Sequence, residues 1–205
     1  MKILSLDNFK KILLFTIILS IIFGYNDKST SFSLNSWLPN FILILVICFV
    51  SSFIHELAHI YIAYINGCSL KLKFIQVKRF GFTTKPYLKM PFKISSIFAL
   101  LVTIISNGYL YFPVISTYEV SEIKHKRLGK KYPRIYEWEL AKIAAAGPIA
   151  SILLAIIFQF IPTPSLSISP SIINILIAVL NILPFPLFDG YYTFIYSKLL
   201  FIFSF

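Results

Sequence analysis

Long apolar stretches constrain this chain more than any other feature of its sequence. They lie at about residues 9–24, 39–66, 94–115, 141–161 and 171–188, and several approach the roughly 20 residues that a membrane-spanning helix needs. Hydrophobic residues make up 58% of the chain and charged residues 13%, whereas soluble domains are only about half apolar. The sequence therefore predicts an all-α polytopic membrane protein with about five or six hydrophobic segments.

The first apolar stretch has some features of a signal peptide. It follows Lys2, Lys10 and Lys11, and basic residues typically precede the apolar part of such peptides. Residues 24–27 are a poor match to the small-residue cleavage site that should come next. We therefore expect this stretch to remain in the protein as a helix.

Basic residues are concentrated in two blocks. Of the 19 lysines and arginines, seven lie between Lys71 and Lys93 and seven between Lys124 and Lys142. Both blocks flank apolar segments, which is typical of cytoplasmic loops. The net charge of +11 therefore predicts contact with anionic lipid headgroups rather than with nucleic acid.

Two segments between the apolar stretches have a different character. Residues 67–93 partly alternate basic and apolar side chains, a pattern that favours one or two short amphipathic strands. Residues 116–140 carry mixed charge together with Gly129 and Pro133, and they are predicted to form an aqueous loop.

The second apolar stretch contains a His-Glu-x-x-His pattern, formed by His55, Glu56 and His59. On a helix the two histidines lie one turn apart on one face and can bind one Zn²⁺, while the glutamate can take a proton from water. The pattern also occurs by chance, but ionisable groups at membrane depth are costly and usually mark function. The alternative is a structural pair of histidines, hydrogen-bonded between helices, with Glu56 satisfied by a neighbour.

The sequence offers few candidates for a third metal ligand, which a catalytic zinc site normally needs. Asp189 is the only acidic residue after Glu139. Pro184 and Pro186 before it and Gly190 after it predict a broken helix, from which the carboxylate could reach a cation. The alternative is that Asp189 caps a helix in a polar loop.

In these motifs the chain resembles the site-2 protease family of intramembrane zinc metalloproteases. The family has His-Glu-x-x-His in one transmembrane helix and Asn-x-x-Pro-x-x-x-x-Asp-Gly in a later one, matched here by His55–His59 and Asn181–Gly190. A Gly-Pro element of the family is similar to residues 146–148. The resemblance covers about residues 39–68 and 141–192.

The resemblance implies a role for each matching residue. By it, His55, His59 and Asp189 would bind one zinc ion per chain, and Glu56 would be the general base and acid. Asn181 would help to hold the substrate near the metal.

The implied function is hydrolysis of peptide bonds in or near the transmembrane segments of other membrane proteins. Residues 1–205 would form a single membrane-embedded domain with an insertion at about 80–140. A strand near Leu72–Val77 could pair with an extended substrate through main-chain hydrogen bonds. One alternative is a non-enzymatic carrier or scaffold with a structural His/Glu/Asp cluster. Another zinc protease with a downstream glutamate ligand is disfavoured, because no glutamate follows Glu139.

The insertion contains the apolar stretch 94–115, whose path decides where Asp189 lies. Both basic blocks are cytoplasmic only if the chain between them crosses the membrane an even number of times, and 22 residues cannot cross twice. We therefore expect a re-entrant segment that turns near Asn107 and Gly108, in a multi-pass cell-membrane protein with its active site nearer the cytoplasmic face. A spanning segment would instead place Asp189 toward the opposite face.

Overall fold

The structure is a computed structural model that describes residues 4–29, 32–75, 94–113, 116–123, 126, 134–162, 166–198 and 202. Within these residues it is mostly helical, with a small two-stranded sheet. The helices are α1 (Leu6–Gly24), α2 (Leu34–Ile65), α3 (Ile94–Ile105), α4 (Glu137–Phe160), α5 (Pro170–Ile182) and α6 (Asp189–Tyr196). The strands are β1 (Cys68–Phe74) and β2 (Ser116–Glu122).

Two of the described helices are long and apolar enough to cross a membrane, namely α2 with 32 residues and α4 with 24. Helix α1 has 19 residues but carries Asp7, Lys10 and Lys11 in its first half. Helices α3 and α5 have 12 and 13 residues, fewer than the roughly 20 that a span needs. The five or six hydrophobic segments expected from the sequence are therefore not five or six spanning helices.

Local signals explain where the helices begin. The side chains of Ser5 and Ser33 accept hydrogen bonds from the backbone N–H groups of the third residues of α1 and α2, and so cap these helices. Helix α5 starts at Pro170, whose fixed φ angle suits the first helical position. The bounds of α2 place the His-Glu-x-x-His motif in the last third of that helix.

Helix α4 is the centre of the helical packing, since it contacts α2, α5 and α6. Helix α1 packs against α2. The indole N–H of Trp37, near the start of α2, donates to the carbonyl of Gly24 at the end of α1. These two helices are therefore antiparallel. Helices α2 and α6, which carry the predicted metal ligands, thus both pack against α4.

The two strands pair in antiparallel fashion, with Leu72 opposite Tyr118 and Phe74 opposite Ser116. The predicted strand in residues 67–93 is confirmed over β1, where buried and exposed side chains alternate as in a half-buried strand. From residue 76 to 93 that segment lies outside the described residues. The prediction that residues 116–140 form an aqueous loop is wrong for β2, because its polar sequence lacks the apolar alternation that usually reveals a strand.

The other edge of β1 is occupied by a side chain of α1. The amide nitrogen of Asn8 donates to the carbonyl of Leu70 at 2.9 Å, and the backbone N–H of Leu72 donates to the amide oxygen at 3.1 Å. Asn8 is only 2% exposed. It bonds to β1 as a neighbouring strand would, and so fastens the sheet to α1.

Residues 94–113 consist of α3 and a turn that follows it. Helix α3 ends in a turn at Asn107 and Gly108, where the sequence predicted a reversal, and both residues have positive φ angles, of 50° and 75°. The carbonyl of Asn107 accepts a hydrogen bond of 2.8 Å from Asn26, just beyond the end of α1. Strand β2 follows in the sequence, and its last residue, Glu122, pairs with Cys68 at the start of β1.

Candidate metal centre and active site

The structure brings the three predicted metal ligands together in a buried cluster. His55 and His59 project from one face of α2, and Asp189 is the first residue of α6. The Nε2 atoms of the two histidines lie 3.3 Å apart. Oδ2 of Asp189 lies 3.5 Å from Nε2 of His55 and 3.3 Å from Nε2 of His59. We call these three atoms the metal triangle.

The metal triangle has the dimensions of a zinc site. Zinc bound tetrahedrally at about 2.0–2.1 Å requires its ligand atoms to be about 3.3–3.4 Å apart. The observed separations of 3.3–3.5 Å match this requirement, and nitrogen and carboxylate oxygen are donors that zinc accepts. The same distances make Asp189 an ion-pair partner of either histidine when that histidine is protonated. The cluster could therefore bind a metal ion.

Helix α4 orients both imidazole rings through their other nitrogen. Nδ1 of His59 donates to the carbonyl of Ile143 at 2.7 Å, and Nδ1 of His55 lies 2.9 Å from the hydroxyl of Ser151. Because a carbonyl only accepts, His59 carries its proton on Nδ1 and leaves Nε2 free for a metal ion. Sequence reasoning missed both partners. Ser151 could have been noticed as a hydroxyl one turn after Gly147, but a backbone carbonyl has no sequence signal.

Gly147 allows α4 to pass close to the two histidines. A Cβ atom at this position would overlap Nε2 of His59 and lie 2.7 Å from Nε2 of His55. Any other residue would occupy the space beside the metal triangle. This close approach gives a physical reason for the glycine of the Gly-Pro element found in the sequence.

The helix break before Asp189 occurs where the prolines predict it. Helix α5 ends at Ile182 and α6 begins at Asp189, with Leu187 in the left-handed region at a φ of 77°. A Cβ atom on Gly190 would overlap the carbonyl of Ile182, so glycine is needed for the tight return. Phe188 occupies the N-cap position of α6, which means that Asp189 is not the helix cap that the sequence left open as an alternative.

Glu56 is held by one carboxylate oxygen. Its Oε1 accepts a hydrogen bond of 2.6 Å from the hydroxyl of Ser116, the first residue of β2. Its Oε2 is buried and has no hydrogen-bond partner among the described residues. A small cavity of about 20 Å³ lies between Glu56, His55, Ser116 and Asn181, enough for about one water molecule. This arrangement leaves one basic oxygen available beside the histidines.

Asn181 lies at the edge of this cavity and is buried. Its amide nitrogen donates to the carbonyl of Ile177, one turn earlier in α5, at 2.8 Å. The structure thus places Asn181 next to the site and commits one of its two amide N–H groups to its own helix. Its role in holding substrate stays a prediction.

Tyr118 is a further residue that sequence reasoning missed. Its ring packs on the imidazole of His59, with ring centroids 4.9 Å apart. Burial raises the pKa of its hydroxyl well above the usual range, and the negative charge of Asp189 adds to this effect, so the hydroxyl stays protonated. Its position in a segment of mixed charge gave no signal of this contact.

Helices α2, α4 and α6 and strand β2 all contribute to one site, although they are far apart in the sequence. Comparison with models of protein families, with curated proteins and with solved structures gives no match. What can be said of function therefore depends on the geometry of this site. The structure itself establishes a buried His55–His59–Asp189 group that could bind a metal ion.

Proposed function

We propose that this protein is a zinc metalloprotease that cleaves peptide bonds in or near the transmembrane segments of other membrane proteins. The observation that carries the proposal is the metal triangle with the free Oε2 of Glu56 beside it. Three protein ligands, an open fourth position and an adjacent carboxylate are the parts that a zinc peptidase needs. Its intramembrane location is supported by the long apolar helices α2 and α4, which carry or contact the site.

Each site residue has a defined part in the proposed reaction. His55, His59 and Asp189 hold the zinc ion, which when bound would activate a water molecule and polarise the scissile carbonyl. Glu56 accepts a proton from the attacking water through Oε2 and passes it to the leaving amine. The new C–O bond forms before the C–N bond breaks, and Ser116 keeps the carboxylate in position throughout.

The proposed depth of the site follows from its place on α2. His59 lies seven residues before Asn66, where α2 ends, which corresponds to about 10 Å along the helix, and His55 lies about 16 Å from the same end. The first basic block follows this end, and the second runs up to and into the first turns of α4, which favours a cytoplasmic location. We therefore place the site in a multi-pass protein of the cell membrane, nearer the cytoplasmic face, with anionic headgroups around the basic blocks.

The path of residues 94–113 supports the proposal of a re-entrant segment. Helix α3 is too short to span, and the turn at Asn107 and Gly108 is followed by a return toward β2. With both basic blocks then on one side, α4 runs outward and α5 runs back, so Asp189 reaches the depth of the histidines. The metal triangle is consistent with this path.

A substrate helix hides its peptide groups in its own hydrogen bonds, so it must unwind locally before cleavage. An extended substrate could then pair with an exposed strand edge. Asn8 occupies the outer edge of β1 at Leu70 and Leu72, and Val77 lies outside the described residues. Since the described sheet has no third strand, we place the substrate along the remaining edge of β2.

The test compares the wild-type protein with Glu56→Gln, purified in detergent and supplied with a generic transmembrane substrate. Glutamine keeps the shape of the side chain but cannot accept the proton, so we expect cleavage to fall by about 10²- to 10⁴-fold while bound zinc is retained. Glu137→Gln, which neutralises an exposed carboxylate in the first turn of α4, is the matched control and should cleave normally. Zinc-loaded wild-type protein that cleaves no better than Glu56→Gln would favour the carrier or scaffold alternative.

A further inference from the structure

Strand β2 presents two side chains to the candidate metal centre. Ser116 and Tyr118 are two residues apart, so they project from the same face of the strand. Ser116 donates to Glu56, and the ring of Tyr118 packs on His59. The strand therefore reaches both the proposed base and a proposed zinc ligand.

The hydroxyl of Tyr118 is buried and has no hydrogen-bond partner in the part of the chain that the structure describes. Buried hydroxyl groups in folded proteins nearly always have a partner, so an unpaired one needs an explanation. The ring is fixed between His59 at 4.9 Å and Tyr192 at 6.1 Å, measured between centroids. Its hydroxyl is close enough to Asp189 and Glu56 for their charges to act on it, and the carboxylate of Asp189 attracts its proton weakly, from outside hydrogen-bonding geometry.

Several other described donors around the metal triangle already have an acceptor. Ser116 donates to Glu56, and Nδ1 of His59 donates to the carbonyl of Ile143. The amide nitrogen of Asn181 donates to the carbonyl of Ile177. The hydroxyl of Ser51 is also unpaired, but Ser51 lies one helical turn, about 5.4 Å, before His55 and away from His59. Tyr118 thus has an unpaired hydroxyl among the described residues and a ring that contacts a residue of the triangle.

An incoming peptide can reach Tyr118 from outside the site. A surface cavity of about 190 Å³ is lined by Tyr118, Val120, Leu140 and Tyr192. The ring of Tyr118 lies between this cavity and His59, while its hydroxyl is buried. A substrate that extends along β2 from this cavity would bring its backbone to the ring that carries this hydroxyl.

We infer that the hydroxyl of Tyr118 donates a hydrogen bond to the carbonyl oxygen of the scissile peptide bond during cleavage. This role rests on the proposed protease function. As the water oxygen bonds to the carbonyl carbon, an electron pair moves onto the carbonyl oxygen; it returns when the C–N bond breaks and the amine leaves with a proton from Glu56. Tyr118 keeps its own proton and stabilises the charge on that oxygen while it exists.

The experiment replaces the hydroxyl alone, with Tyr118→Phe. Four quantities are compared with the wild-type protein: kcat, KM, bound zinc and affinity for a phosphinic peptide that mimics the tetrahedral stage. We expect kcat to fall by about 100-fold and the phosphinic peptide to bind correspondingly more weakly. KM and zinc content should not change, and thermal stability should not fall, because the hydroxyl has no hydrogen-bond partner among the described residues to lose.

Tyr109→Phe is the matched control, since it removes a hydroxyl from an exposed ring in the turn after α3, outside the residues that line the site, and should leave all four quantities unchanged. An unchanged kcat in Tyr118→Phe, in a wild-type background that cleaves, would overturn the role of Tyr118 and leave the protease proposal intact. Loss of zinc from Tyr118→Phe would also overturn it, because Tyr118 would then be an orienting partner of Asp189. A wild-type protein that neither binds zinc nor cleaves would overturn both proposals together.

Discussion

The helices that carry the metal triangle and the two-stranded sheet beside them build the same site in different ways. On α2 and α6 the ligands His55, His59 and Asp189 belong to sequence motifs with fixed spacings. Strand β2 contributes Ser116 and Tyr118 from a polar segment without a motif. The comparison shows that local helix geometry places the two histidines and Glu56, whereas the hydrogen bond that holds the Glu56 carboxylate depends on the long-range pairing of β2 with β1. Variants can separate these two contributions.

The largest effect is expected from Gly147→Ala on the helical side. The added methyl group would overlap Nε2 of His59, and overpacking of this kind typically costs 1–3 kcal/mol. We expect zinc affinity to fall by roughly 10- to 100-fold, measured by competition with a fluorescent chelator. Ala146→Gly is the control, since it weakens the same helix by about 1 kcal/mol without entering the site. Equal zinc affinity in Gly147→Ala and the wild type would contradict the close approach of α4.

A smaller effect is expected from Ser116→Ala on the sheet side. The change leaves Oε1 of Glu56 without its donor, a loss that typically costs about 1–3 kcal/mol for a buried group. We expect kcat to fall by about tenfold while zinc content stays the same, and Ser116→Thr to recover part of the activity. Ser121→Ala, at an exposed position of the same strand, should behave as wild type. If Ser116→Ala lost zinc instead, the helices and the sheet would not contribute separately.

The smallest effect on activity is expected from Asn8→Ala, which acts on the sheet from a distance. Both hydrogen bonds to β1 are lost, and we expect the free energy of unfolding to fall by about 1–3 kcal/mol. The kcat value should change only a few-fold, because the pairing of β1 with β2 remains. Thermal unfolding and cleavage assays on the same preparation would check both expectations. A loss of activity as large as that of Ser116→Ala would show that Asn8 is essential for holding β2 at Glu56.

The sequence predicted the helical part of the site well. His55 and His59 are four residues apart, and on a helix that spacing alone puts them on one face. Asp189 was found because acidic residues are scarce in the second half of the chain and because the prolines predict the break between α5 and α6. These inferences needed only local geometry and the chemistry of a buried charge.

The contribution of β2 could not be predicted for a physical reason. Its residues alternate without a clear apolar face, and it becomes a strand because β1 pairs with it across more than 40 residues of sequence. The carbonyl of Ile143 gives no signal either, since every residue has one. The number of spanning helices was not evident from hydropathy, because short apolar helices such as α3 and α5 resemble spans by composition.

The most direct test of the central claim is the zinc content of the purified protein, measured by inductively coupled plasma mass spectrometry. The account predicts about one zinc ion per chain in the wild type, and loss of zinc in both His55→Ala and Asp189→Ala. Asp27→Ala, which removes a partly exposed carboxylate that bonds to Ser29 and Ser36, far from the histidines in sequence, should keep its zinc. Full zinc content in Asp189→Ala would contradict the metal triangle, and a wild type that binds no zinc when it is supplied would contradict the proposed protease.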